Sequence, residues 1–147
     1  MFALSVQTAF AGNAEDVLAL VEKHWEARNS NDYQTQYDVA SNAGTLSANS
    51  NGTFFQTSEK GTLEELTEDL SNIKKSNVSV RYPEVIQLSE SVMLARYYLE
   101  GQIEFADGSR EPNYRTRVTH IWVKEDAGWK TRSWHFSPLH NGGVHRD

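Results

Sequence analysis

The chain has no cysteine. This excludes a disulfide scaffold, a cysteine nucleophile and a thiolate-held metal, and it leaves the redox compartment undecided. Basic residues are also short: 14 Lys and Arg stand against 20 Asp and Glu, a formal net charge of −6. A surface so charged argues against binding nucleic acid or an anionic membrane. No apolar run approaches the ~20 residues that span a bilayer. There is no G-x-S-x-G, no H-E-x-x-H and no glycine-rich phosphate loop. The five histidines, His24, His120, His135, His140 and His145, are scattered with no metal-ligand spacing, so neither a metal nor an organic cofactor is expected. What is present is aromatic: 4 Trp, 6 Tyr and 6 Phe in 147 residues, enough to fill the core of one domain.

Residues 1–12 read as an N-terminal arm, packing Phe2, Leu4, Val6 and Phe10, or as the remnant of an export signal. Ala9-Phe10-Ala11 has the small-x-small pattern of a cleavage site, but no basic segment precedes it. The compartment stays open between cytoplasmic and exported. Asn13 can cap a helix in which Val17, Leu20, Val21 and Trp25 form one apolar stripe. Asp32 can cap a short second helix with Tyr33 and Tyr37 a turn apart. Residues 41–53 are small and polar, a loop with a weak strand. Thr62 and Glu65 match a capping box, and Leu63, Leu66, Leu70 and Ile73 extend the helical period, predicting a third helix from Thr62 to Lys75.

The period then changes to that of strands. Val78–Tyr82 and Glu84–Leu88 are separated by Pro83, which predicts an edge or a bulge. Val92–Phe105, Tyr114–Lys124 and Trp129–Ser137 follow, joined by turns at Asp107-Gly108 and Asp126-Ala127-Gly128. Residues 139–147, with Gly142-Gly143, read as a flexible tail, leaving one domain over 13–138. Helices set apart from an antiparallel meander predict an α+β fold: three N-terminal helices packed on a curved, mainly antiparallel sheet.

The order and the residues together resemble the nuclear transport factor 2-like superfamily, nearest its SnoaL-like members and the association domain of calcium/calmodulin-dependent protein kinase II. The resemblance rests mainly on Tyr114–Val123, the turn Asp126-Ala127-Gly128-Trp129, and the ending Trp134-His135-Phe136-Ser137. Asn31-Asp32-Tyr33 with Tyr37, and Gly61-Thr62-Leu63, match the starts of the second and third helices. It implies a cone-shaped fold enclosing a pocket, often in dimers that pair through the outer sheet face. Its members include isomerases, dehydratases, cyclases and non-catalytic assembly domains, so function must come from the site.

Strand side chains alternate between faces. The resemblance to the association domain sets Tyr98, His120 and Phe136 where that domain carries pocket arginines, with Arg96 and Arg132 a register step away. An unbroken alternation then makes Arg96, Tyr98, His120, Trp122, Arg132, Trp134 and Phe136 the pocket wall. Arginine among aromatics suits a small anionic or polar-aromatic ligand. The expected function is binding of such a small molecule by a homodimer. One alternative is a cofactor-free dehydratase, isomerase or cyclase using His120 as acid or base and Tyr98 as proton donor. Another is an assembly module presenting Thr119, Ile121, Val123, Thr131, Ser133 and His135. Thr45–Phe55 holds no Asp or Glu, where the isomerase-type members carry a general base. That absence favours binding. A bulge in the long strands would exchange the two faces beyond it.

Overall fold

The computed structural model describes residues 4–49 and 54–139, with side chains from residue 13 onward. The chain runs α1 (Leu4–Asn29), α2 (Tyr33–Val39), β1 (Thr45–Ala48), β2 (Gln56–Ser58), α3 (Leu63–Leu70), β3 (Ile73–Ser89), β4 (Val92–Phe105), β5 (Arg110–Glu125) and β6 (Gly128–Pro138). The strands form one sheet in the order β2-β1-β6-β5-β4-β3. All neighbours are antiparallel except β1 and β6, which are parallel, so the sheet is mixed.

The α+β class stands, with one correction to the order. Only two helices precede the sheet, because β1 forms within residues 41–53, read as a loop with a weak strand, and β2 follows it, both ahead of α3. Asn13 is interior to α1, which starts at Leu4. The packing expected of the N-terminal arm and the tail beyond Leu139 lie outside the described residues. α3 ends at Leu70, and Ile73 opens β3 instead of closing the helix.

Local chemistry places the ends of the elements. Asp32 accepts from the Thr35 amide (3.0 Å) and starts α2 immediately after Asn31, whose φ of 56° turns the chain out of α1. Thr62 and Glu65 form the capping box on α3 with reciprocal bonds of 2.7 and 3.2 Å. The last residue of α1 is fastened to β3: Asn29 donates to the Val78 carbonyl (2.8 Å) and accepts from the Val78 amide and the Ser76 hydroxyl (both 2.9 Å). The core lies between α1 and the concave sheet face, built from Val17, Val21, Met93, Leu99, Val118 and Trp122.

Register decides which side chains reach that face. Tyr82-Pro83 forms the expected irregularity, with a register shift between Arg81 and Glu84, a Tyr82 φ of 51°, and β3 at the sheet edge. One shift in the β4–β5 ladder and one in the β5–β6 ladder break the unbroken alternation. Between Ile103↔Glu111 and Gly101↔Tyr114, β5 advances one residue more than β4, at Pro112-Asn113. Proline has no amide hydrogen to give to a ladder, and a bulge is where it fits. Between Trp122↔Thr131 and Ile121↔Ser133, β6 carries the extra residue, at Arg132.

Candidate functional site

These shifts reassign the pocket wall. Beyond the first bulge, Ala95 lies opposite His120 and Tyr97 opposite Val118, so the odd-numbered residues of β4 share the concave face with the even-numbered residues of β5. Met93, Ala95, Tyr97 and Leu99 are buried there. Arg96 and Tyr98 are on the convex face. Arg96 pairs with Glu84 at 2.6 Å, and Tyr98 is 40% exposed, edge-on to Tyr82. Tyr98 and His120 are thus on opposite faces and cannot act on one substrate, which removes that catalytic pair.

The second bulge turns Thr131 inward beside Trp122, and Trp134 and Phe136 inward beyond it. Arg132 donates to the Gly44 carbonyl (2.7 Å) and does not line the main cavity. His135 and Ser137 face outward, against Phe55 and Arg117 respectively.

The main cavity, about 690 Å³, opens between α1, α2, α3 and the β1–β6 end of the sheet. Trp25, Trp134, Phe136, Leu66 and Leu70 give it apolar walls, while Glu59, Glu65 and Asp69 also line it. His24 and Arg28 enter from α1, one helical turn apart on the stripe that begins with Val17 and Val21. Arg28 Nη1 reaches Gln36 Oε1 only at 3.5 Å. The ion pairs among the described residues are Lys74–Glu104, Arg81–Glu100, Arg96–Glu84, Arg110–Glu104 and Arg115–Glu100, and Arg28 is in none of them. Burial holds its guanidinium below the ordinary arginine range, against the raising influence of Tyr33 and Tyr114.

Behind the wall lies a buried polar chain. Trp25 Nε1 donates to the Tyr97 hydroxyl (2.8 Å), which sits 3.0 Å from His120 Nδ1. The Tyr97 oxygen accepts the Trp25 hydrogen bond, and its contact with His120 Nδ1 runs O–H···N or N–H···O according to the imidazole tautomer. His120 is 1% exposed and packs edge-on or tilted against His24, Trp122 and Trp134, with ring centroids 4.8 to 5.9 Å away. His120 Nε2, His24 Nδ1, Trp122 Nε1 and Thr131 Oγ1 are buried without a hydrogen-bond partner among the described residues. Burial, then the Arg28 charge, pushes His24 down to about 4. Burial, then His24, pushes His120 well below the ordinary histidine value. Both imidazoles are therefore neutral near pH ~7. Burial raises the Tyr97 phenol, opposed by its Trp25 bond. Among the described residues there is no group of three or more His, Cys, Asp or Glu able to hold a metal.

No protein-family model and no curated protein matches the sequence. Solved structures do match. A nuclear transport factor 2-like superfamily protein from Salmonella enterica superposes with a TM-score of 0.73 at 12% identity, covering 94% of this chain and 99% of that one. The chain has the nuclear transport factor 2-like fold. A candidate dehydratase of the nuclear transport factor 2-like family from Streptomyces avermitilis has the same fold (TM-score 0.72, 15% identity, 88% and 97% of the two chains). So does the hub homology domain of calcium/calmodulin-dependent protein kinase II type from Chlamydamonas reinhardtii (0.67, 15%, 86% and 98%). In this nuclear transport factor 2-like chain the concave face brings together Trp134 and Phe136 at the cavity, with His120 and Trp122 buried behind them. It leaves out Arg96, Tyr98 and Arg132. The sequence reading missed His24, Arg28 and Tyr97. For the first two a signal existed: the α1 stripe 17, 21, 24, 28 places a histidine and an arginine on a core-facing side, where charge needs a reason.

Proposed function

We propose that the cavity binds a small molecule with an apolar, aromatic-sized body and a carboxylate or similar anionic group. The observation that carries this is Arg28, a half-buried guanidinium in an aromatic cavity with no carboxylate paired to it among the described residues. A half-buried cation whose partner is a neutral amide favours an incoming anion, and its planar donors suit a carboxylate bidentately. Trp25, Trp134 and Phe136 supply the apolar contact. The cation expected from Arg96 or Arg132 comes from a helix instead of the sheet.

Calorimetric titration with naphthoate and with naphthamide tests this. The acid should bind and the amide bind more weakly, and Arg28→Gln should weaken the acid by about ten- to a hundredfold, the value of a charge-assisted hydrogen bond. Equal affinities for acid and amide, or an unchanged Arg28→Gln titration, would refute it.

We also propose that two copies pair through the convex sheet face. Ile86, Leu94 and Ile121 lie in one row across β3, β4 and β5, and the exposed Tyr98 and Tyr82 lie farther along the same strands, beyond the Arg96–Glu84 pair. Sedimentation equilibrium should show a dimer that Leu94→Glu dissociates.

A further inference from the structure

α3 has an apolar stripe and no core to bury it in. Leu63, Leu66 and Leu70 follow one another a turn apart on one side of the helix. Yet no residue of α3 is buried, and none belongs to the hydrophobic core. The helix packs chiefly on α2, and its own capping box holds its first turn. Leu66 and Leu70, half-buried, line the main cavity together with Arg28, Trp25 and Trp134. Apolar surface left in water is unfavourable, and the apolar part of a ligand reaches these leucines from inside the cavity. A cavity of about 690 Å³ lies in the ~300–1,000 Å³ range of sites that enclose drug-sized molecules, more than one ring with a carboxylate fills.

We propose that the α3 end of the cavity is a subsite for an alkyl chain, so that the ligand is an aromatic acid with an apolar tail: carboxylate on Arg28, ring against Trp25 and Trp134, tail under Leu66 and Leu70. This rests on the anion-binding reading above. The charges on the wall fix the direction of the molecule. Glu65 and Asp69, a turn apart on α3, and Glu59 before it line the same cavity. None of the three is in an ion pair among the described residues. A carboxylate placed at α3 would meet these like charges, so the anion goes to Arg28 and the chain to the leucines. The other lysine or arginine on the wall is Lys60, which already has oxygen partners. Its Nζ donates to the Ala40 carbonyl (3.1 Å) and to Asn42 Oδ1 (3.2 Å), over the Tyr37 ring. The rival occupant is a tail ending in an ammonium, which would pair with Glu65 and Asp69 instead of resting on the leucines.

The test is calorimetry on the full chain with benzoate, para-hexylbenzoate and para-(5-aminopentyl)benzoate, using wild type, Leu66→Gln/Leu70→Gln and Arg28→Met. Each methylene that reaches the leucines is worth about three- to fourfold, so wild type should bind hexylbenzoate at least about a hundredfold more tightly than benzoate. The double variant, whose glutamines suit a helix, should lose most of that gain and keep its benzoate affinity. Arg28→Met should weaken both of these acids by the same factor. Equal binding of benzoate and hexylbenzoate by wild type overturns the proposal and leaves the anion reading standing. A gain with the tail that survives both glutamines overturns it too, because the tail then rests on apolar surface elsewhere. A gain lost in the double variant while Arg28→Met changes nothing keeps the tail subsite and refutes the anion reading instead. Tighter binding of the aminopentyl acid than of the hexyl acid assigns the α3 end to a cation and overturns the alkyl assignment. Should the double variant not fold, amide exchange of wild type decides. Hexylbenzoate should slow exchange over residues 66–70 beyond the effect of benzoate, and equal protection by the two acids would overturn the assignment.

Discussion

Acidification tests the buried histidine pair without any ligand. In the folded chain burial lowers His24 to about 4, against an ordinary value of 6.5, and lowers His120 well below that ordinary value too. Between those limits the unfolded chain takes up protons that the folded chain refuses, so stability falls as pH drops. Each histidine contributes a slope of about 1.4 kcal/mol per pH unit. The full window for His24 is worth about 3 kcal/mol, a fall from pH ~7 to pH ~5 costs about 2 kcal/mol for His24 alone, and His120 adds to it in the same direction. The carboxylates displaced downward, the exposed Asp32 and Asp107 and the partly buried Glu104, have ordinary values of 3.8 to 4.5, so their proton uptake lies below this window. Urea unfolding at about pH 7 and about pH 5, at constant ionic strength, reads the difference. The double variant His24→Phe/His120→Phe should lose most of the slope, whatever its stability at neutral pH. A wild type whose stability changes by less than about 1 kcal/mol over this interval, or a double variant as pH-sensitive as wild type, would refute the buried, neutral assignment.

Three further outcomes follow from single contacts. Arg96→Ala breaks an exposed pair with Glu84 on the convex face, so it should leave the urea midpoint and the naphthoate affinity unchanged. Thr62→Ala removes the capping box of α3 and should cost about 1 kcal/mol, visible as faster amide exchange from Leu63 to Leu66. Asn29→Ala frees the bonds that tie the end of α1 to Ser76 and Val78. It leaves buried backbone groups unpaired and should cost about 2–3 kcal/mol in urea unfolding.

Much of the architecture was legible because local chemistry agrees with it. The Thr62/Glu65 capping box, the Asp32 cap, the turn at Asp107-Gly108 and the irregularity at Pro83 each come from residues whose backbone demands are specific. The site was less legible because alternation is a local rule and register is not. A single extra residue at Pro112-Asn113 exchanged the faces of β4 relative to β5, putting Tyr97 where Tyr98 was expected. A second, at Arg132, turned Thr131 inward. Pro112 was the available clue to the first; for the second, nothing in Thr131-Arg132-Ser133 marks a bulge. The histidine and arginine of α1 were readable from helical spacing, and their meaning appears only when α1 lies across the sheet.

The central claim is that the cavity lined by Arg28 is the binding site, and a crystal grown with para-bromobenzoate tests it most directly. Anomalous scattering locates the bromine without reference to the rest of the density. The account predicts bromine between Trp25 and Trp134, with the carboxylate on the Arg28 guanidinium. Bromine in the shallower groove of Phe54, Phe55 and His135, or a carboxylate held by Arg96 or Arg132 while Arg28 stays unliganded, would contradict it.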